Sequence, residues 1–306
     1  MKFSFIRPAK YFLMLSAALV GVSIVLLIYP GPDLSIDFTG GTMMEIRIPS
    51  SATKDDLANT LSSIVFTQEE EEAKTSIGNF SISATKGSTM LIRMRDLSNP
   101  EHLQLQAHMN ETLGETEELQ FTTIGPTVGA SLKKRSLWAL TIASIAIVLY
   151  IAFAFRKVPR KLSPWRFGLI AVITLLHDVL ITVGIFIILS QFTSFEFDTL
   201  FVTALLTILG YSVNDTIVIF DRIRDNLLTQ NRGEEFYIVA DRSLKQSVTR
   251  SINTSVSTLI MLSALFILGS ESIKWFVLTL MVGAIIGTYS SLFLATPLLV
   301  YWKKKT

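Results

Sequence analysis

Six stretches of about 20 mostly apolar residues dominate this sequence, and that is the length an α-helix needs to cross the hydrocarbon core of a bilayer. They are Tyr11–Tyr29, Leu137–Phe155, Phe167–Leu189, Thr199–Phe220, a run from near Thr249 to Leu268, and Trp275–Tyr301, the last long enough to tilt or overhang. In hydrocarbon each backbone N–H and C=O must be satisfied within the segment, so the runs predict spanning helices. The composition agrees: 17% of residues are charged, against roughly 25% in a soluble domain. Tyr11–Tyr29 follows Lys2, Arg7 and Lys10 as a signal peptide would. Its apolar run exceeds the usual signal core and no small-residue cleavage site follows, so it reads as an uncleaved helix.

Cations between the runs set an orientation. Lys2, Arg7 and Lys10 flank the first run. Arg156, Lys157, Arg160, Lys161 and Arg166 join the second and third. Arg222, Arg224, Arg232, Arg242, Lys245 and Arg250 join the fourth and fifth, and Lys303, Lys304 and Lys305 end the chain. The alternate loops, Gln191–Asp198 and Gly269–Lys274, are nearly free of basic residues. Both termini are therefore expected in the cytoplasm. Lys133, Lys134 and Arg135 fall on the opposite side, at the end of a long segment whose translocation is insensitive to charge.

Three regions follow: a stub and first helix over 1–30, an extracytoplasmic domain over 31–136, and helices two to six over 137–306. The outer segment carries Glu69–Glu72, read as a solvated loop. Around it, alternation over Thr42–Ile48 predicts a strand. Thr53–Phe66 predicts a helix capped by Thr53, and Phe80–Thr85 with Thr89–Arg95 a hairpin about Lys86-Gly87-Ser88. Asn99–Leu113 predicts a second helix, capped by Asn99 with Pro100 in its first turn and closed by Gly114, and Glu118–Thr123 a last strand. The order β-α-β-β-α-β is that of the ferredoxin-like split βαβ motif, an α+β fold. His102 and His108 sit on different faces of a helix and read as structural, not as metal ligands.

Ionisable groups within the spans cost about 2.5–3.5 kcal/mol each on insertion scales and are functional candidates by default. The third run holds His177 and Asp178 near its middle. The fourth holds Asn214 and Asp215, with Thr203, Thr207, Gly210 and Ser212. The fifth opens with Arg250 and continues through Asn253, Thr254, Ser255, Ser257 and Thr258. Asp215 and Arg250 return to the same membrane side and are expected to meet. A carboxyl in hydrocarbon beside an arginine suits reversible protonation, and a charge crossing the membrane gains about 2.3 kcal/mol per 100 mV. Asn253 and the hydroxyls read as interhelical glue, while Gly283 with Gly287 and Ala17 with Gly21 read as close-packing pairs.

Several chemistries are excluded or disfavoured. There is no cysteine, hence no disulfide, thiolate site or Cys nucleophile. There is no phosphate-binding GxxxxGK[ST] and no HExxH. A net charge of +2 gives no reason to expect nucleic acid. Asp178 and Asp215 lack the sequence contexts of an intramembrane aspartyl protease. The chain is expected to be no enzyme and to need no cofactor.

Five strings together resemble the SecF family of protein-export membrane subunits, within the RND superfamily. They are Ile36-Asp37-Phe38-Thr39-Gly40-Gly41-Thr42, Gly125-Pro126-Thr127-Val128-Gly129, His177-Asp178-Val179, the run Leu209–Arg224 and the run Ser243–Ser255. The resemblance implies an RND-type fold of six helices with one small periplasmic domain, in a bacterial inner membrane. It implies pairing with a SecD subunit and work with the SecYEG channel and the SecA motor on a preprotein late in export, driven by the proton motive force. The family's proton-pathway aspartate and arginine carry over to Asp215 and Arg250, with Asn214, His177 and Asp178 beside them. The alternatives are a half-unit of another RND porter for lipids or small molecules, and an assembly factor without proton flux.

Overall fold

A computed structural model describes residues 4–67, 74–84, 89–155, 164–229 and 234–304. Glu69–Glu72, the turn Lys86-Gly87-Ser88, and the cations Lys2, Arg156, Lys157, Arg160, Lys161, Arg232 and Lys305 lie outside the described residues. The chain divides into two compact units: Met1–Asp33 with Ser136–Thr306, and Leu34–Arg135.

The first unit is helical. Its elements are α1 (Ala9–Ile28), α5 (Pro126–Ala154, which begins in the other unit), α6 (Pro164–Ser190), α7 (Thr199–Leu228), α8 (Phe236–Leu268), α9 (Lys274–Ser290) and α10 (Thr296–Lys304). Among the described residues six spans are long and apolar enough to cross a membrane, α9 and α10 together supplying the last. Two helices run well past their apolar stretches. α5 begins at Pro126 rather than Leu137, and α8 at Phe236 rather than near Thr249. A hydropathy window sees only the part in hydrocarbon, whereas backbone hydrogen bonding continues into polar sequence. Lys133, Lys134 and Arg135 therefore stand on the early turns of α5.

The sixth span is interrupted. A π-turn over Ser291–Ala295 separates α9 from α10. Pro297 has no N–H to bond the carbonyl a turn earlier, and widening that turn accommodates the gap. α6, α7 and the sixth span bury the most residues, while α1, α5 and α8 stand at the outside. Gly283 and Gly287 do mediate close packing. A Cβ on Gly283 would fall 2.2 Å from Ile208, and one on Gly287 3.0 Å from Ser212, both on α7. Ala17 and Gly21 do not: both are exposed and nothing lies within 4 Å of a Cβ on Gly21. α1 instead meets α6 at Ser23 against Gly184, where a Cβ would lie 2.3 Å from Ser23 Oγ.

An apolar core ties the ends of α5 and α7 to the starts of α6 and α8, to the residues before α1 and to α10, through Ile6, Phe155, Phe167, Phe220, Val239 and Leu299. Phe155 stacks on Phe167 at 5.4 Å, and Phe220 meets Phe167 edge-on at 5.1 Å. Asp241 of α8, itself buried, accepts Ser4 Oγ at 2.9 Å and the Phe5 N–H at 2.8 Å. It thereby fastens the residues before α1 to the same core.

The second unit is α+β. After the short α2 (Ile36–Thr39) come β1 (Gly41–Arg47), α3 (Lys54–Ser63), β2 (Val65–Thr67), β3 (Lys74–Ser76), β4 (Ser81–Ala84), β5 (Thr89–Met94), α4 (Asn99–Leu113) and β6 (Glu117–Ile124). Four strands form one sheet in the order β4-β5-β1-β6, each neighbour antiparallel. That is the ferredoxin-like arrangement, with β2 and β3 an added hairpin. Helix α3 stops at Ser63 and not at Phe66, because the β-branched and aromatic run that follows pairs as β2. The cap of α4 is Ser98, not Asn99, with Pro100 in its first turn. Ser98 Oγ and N–H both donate to Glu101 Oε2 at 2.9 Å. α3 and α4 cover one sheet face over Met44, Ile46, Ile92, Leu57, Leu61, Leu105 and Met109.

Within this unit the two glycine signatures form one joint. Gly40 and Gly41 have φ of +76° and +124°, a region that costs residues with a Cβ. A Cβ on Gly40 would lie 2.7 Å from Pro126 Cα, one on Gly41 2.7 Å from the Met94 carbonyl, and one on Gly129 2.8 Å from the Gly40 nitrogen. The start of β1 therefore lies backbone against backbone with the first turn of α5.

Candidate functional site

α6 carries His177 and Asp178 side by side, and the two do different work. Asp178 is fully buried. Its Oδ1 lies 2.8 Å from His177 Nδ1. Its Oδ2 accepts Ser290 Oγ of α9 at 2.8 Å and also Ser212 Oγ of α7. Three donors on two oxygens satisfy the group and pin three helices together. His177 is buried too, and its Nε2 has no hydrogen-bond partner. Its ring lies 6.3 Å from that of Tyr289, whose hydroxyl lies 3.1 Å from Ser16 Oγ and donates to the Phe12 carbonyl.

Asp215 stands on α7, one turn from Ser212. The residue is 5% exposed, and its Oδ2 is buried with no hydrogen-bond partner. The polar side chains that act on this carboxyl are Ser251 and Arg250, consecutive on α8. Arg250 forms no salt bridge with it; the arginine is exposed and acts through its field. Of the two carboxylates, Asp178 is saturated with donors and Asp215 has a free lone pair. Asp215 is thus the one able to change its proton without first breaking a helix contact.

Asn214 points the other way and is exposed, as are Thr203, Thr207 and Gly210 on the same helix. On α8, Asn253, Thr254 and Ser257 are exposed as well. Thr254 and Ser257 donate to carbonyls of their own helix. The expected glue is therefore divided. The outward hydroxyls join no second helix, whereas Ser255 receives the Tyr211 hydroxyl at 3.1 Å and lies 2.5 Å from Thr288 Oγ1 of α9.

Ser212, Ser251 and Ser290 complete this site, and sequence reasoning missed the last two. A signal was present for Ser251. Ser243, Ser247, Ser251 and Ser255 recur every fourth residue, which places them on one helix face, and all four are buried. Beyond the hydrocarbon run the α7–α8 pair is locked by Asn226, whose Nδ2 donates to Ser243 Oγ at 2.8 Å and to Gln246 Oε1 at 2.9 Å, and by Arg222 Nε, which donates to Gln246 at 2.7 Å. His102 and His108 contact separate partners, Glu118 and Ser63. No cluster of potential metal ligands occurs among the described residues.

Comparison with known proteins shows the family of the chain. A family model described as the C-terminal part of the protein export membrane proteins SecD and SecF matches residues 104–305, and one for the SecD/SecF GG motif matches 25–48. The chain is 43% identical to the protein translocase subunit SecF of Thermobaculum terrenum, over 98% of this chain and 93% of that one. It is 35% identical to the SecF of Sebaldella termitidis, over 97% and 91%. Among solved structures it resembles SecDF, a translocon-associated membrane protein from Thermus thermophilus, with a TM-score of 0.82 and 31% identity. That match covers 99% of this chain but 39% of the SecDF chain. SecDF in its super-membrane-facing form matches with a TM-score of 0.67 and the same 39% coverage. The fold class is that of this RND-type membrane protein: six spanning helices and one α+β domain.

Proposed function

We infer that this chain, which belongs to the SecD/SecF family of protein export membrane proteins, is a multi-pass subunit of the Sec protein translocase that assists a late stage of preprotein export at the expense of the proton motive force. One observation carries the proton reading: a carboxyl buried within a spanning helix, Asp215, with one oxygen left without a partner and an arginine acting on it. Gain or loss of a proton there changes a charge at the α7–α8 contact, and helices packed this closely respond by changing their arrangement. Asn214 stands at the exposed edge of this route. His177 and Asp178 stand behind it, joined through Ser212. The chain acts as a transporter subunit rather than an enzyme.

The partner reading rests on the outward faces. Asn214 of α7 and Arg250 and Asn253 of α8 present exposed polar groups from spanning helices, beside the hydroxyls of Thr203, Thr207, Thr254 and Ser257, which bond carbonyls of their own helices. Lipid hydrocarbon offers such groups nothing. A second helix bundle of the SecD type would cover them, and the solved SecDF chains are more than twice the length that this chain matches. SecYEG, SecA and the emerging preprotein are the further partners proposed. The membrane is the bacterial inner membrane, with both termini cytoplasmic.

The test is export into inverted inner-membrane vesicles with and without an imposed proton gradient. Asp215→Asn should fold and assemble yet lose the gradient-dependent part of export. Full gradient-dependent export by that variant would end the proposal.

A further inference from the structure

Asp215 and Ser251 form a contact that the hydrogen bonding leaves open. The antiparallel register of α7 and α8 is set by two bonds on either side. Tyr211 meets Ser255 in one direction, and Asn226 meets Ser243 in the other. One helical turn from Tyr211 and one from Ser255 lead to Asp215 and Ser251, which brings these two opposite each other. Both are more than nine-tenths buried, at 5% and 0% exposure, and Asp215 Oδ2 and Ser251 Oγ each lack a hydrogen-bond partner. Two complementary polar atoms buried at one contact, both unsatisfied, are rare in a folded chain and mark a bond made in another state or through one water.

We propose that Ser251 is the positioning residue of Asp215, its hydroxyl donating to the ionised carboxylate and accepting from the neutral acid. A serine hydroxyl is suited to this because it is donor and acceptor at once and reorients by one torsion. Arg250 answers only the ionised form. The serine therefore keeps α7 and α8 in contact through the whole proton cycle, while the arginine reports the charge. The inference rests on Asp215 being the proton-carrying group. The charged and titratable groups around it are Arg250 of α8, Tyr211 and Asp221 of α7 itself, His177 with Asp178 of α6 reached through Ser212, and Tyr289 of α9 beside His177.

Infrared difference spectroscopy of the full chain, reconstituted and titrated, tests it. The carbonyl stretch of protonated Asp215 is assigned by its disappearance in Asp215→Asn. Ser251→Ala should raise its frequency and move the titration midpoint to higher pH, because the ionised form has lost a donor. Ser251→Thr should restore both. Ser247→Ala, one turn away on the same buried face, removes a packed hydroxyl of the same size and should move neither. An unchanged band and midpoint in Ser251→Ala overturn the proposal, as does an equal shift in Ser247→Ala. A shifted band alongside intact export by Asp215→Asn leaves the contact standing and removes the proton-coupling reading. An Asp215 that never titrates removes both.

Discussion

Ser290 and Asp178 are 112 residues apart in the chain and 2.8 Å apart in space. With Ser212 and His177 they tie α6, α7 and α9 at one buried point. Asp178→Ala should be severe, because it strands two serine hydroxyls and an imidazole without their acceptor. Breaking such a buried polar group costs about 3–5 kcal/mol. Ser290→Ala removes one donor of three and should cost about 1 kcal/mol. Thermal unfolding in detergent should rank Asp178→Ala well below Ser290→Ala, and the reverse order would refute the pin.

Arg250 lies near Asp215 without a salt bridge. Its effect is therefore that of a positive charge at a distance. Arg250→Ala should impair gradient-dependent export. Arg250→Lys keeps the charge but loses the planar fork, and partial activity is expected. Equal loss in both variants would mean that guanidinium geometry, not charge, is what matters.

The glycine joint gives a stability prediction for the α+β unit. Gly40→Ala places a Cβ in a positive-φ conformation and 2.7 Å from the Pro126 backbone. Neither can relax cheaply, so a loss of about 2–3 kcal/mol is expected. Gly78 has φ +74° but nothing within 4 Å of its Cβ. Gly78→Ala should therefore cost only the backbone term, about 1 kcal/mol. Hydrogen exchange of peptides in β1 and the start of α5 would separate the two.

Glu101 links this unit to pH. The Arg95 guanidinium beside it holds its carboxyl below the usual value of 4.5, with the Ser98 hydroxyl and N–H helping against the effect of burial. A carboxylate with a lowered folded pKa contributes stability above the unfolded value, and loses it as pH falls through the folded one. The unit should therefore lose stability below about pH 4.5. Glu101→Gln should be roughly 2 kcal/mol less stable at pH 7 and flatter in acid, measured by exchange rates in α4.

The membrane architecture was legible in the sequence because hydrocarbon imposes a one-dimensional rule: twenty apolar residues must become a helix wherever they sit. The same holds for the split βαβ order, which follows from local alternation, caps and glycines such as Gly114. Asp215 and Arg250 stood out because a charge in an apolar run is conspicuous without any neighbour. What the tertiary structure decided is which of the buried groups are already satisfied. Asp178 and Asp215 read alike as letters, yet one holds three donors from three helices and the other keeps an oxygen free. That difference arises from Ser212, Ser251 and Ser290, residues too common to notice until packing brings them within bonding distance. Helix register across 30 to 110 residues of chain is set by the sum of many weak contacts, and no local pattern encodes it.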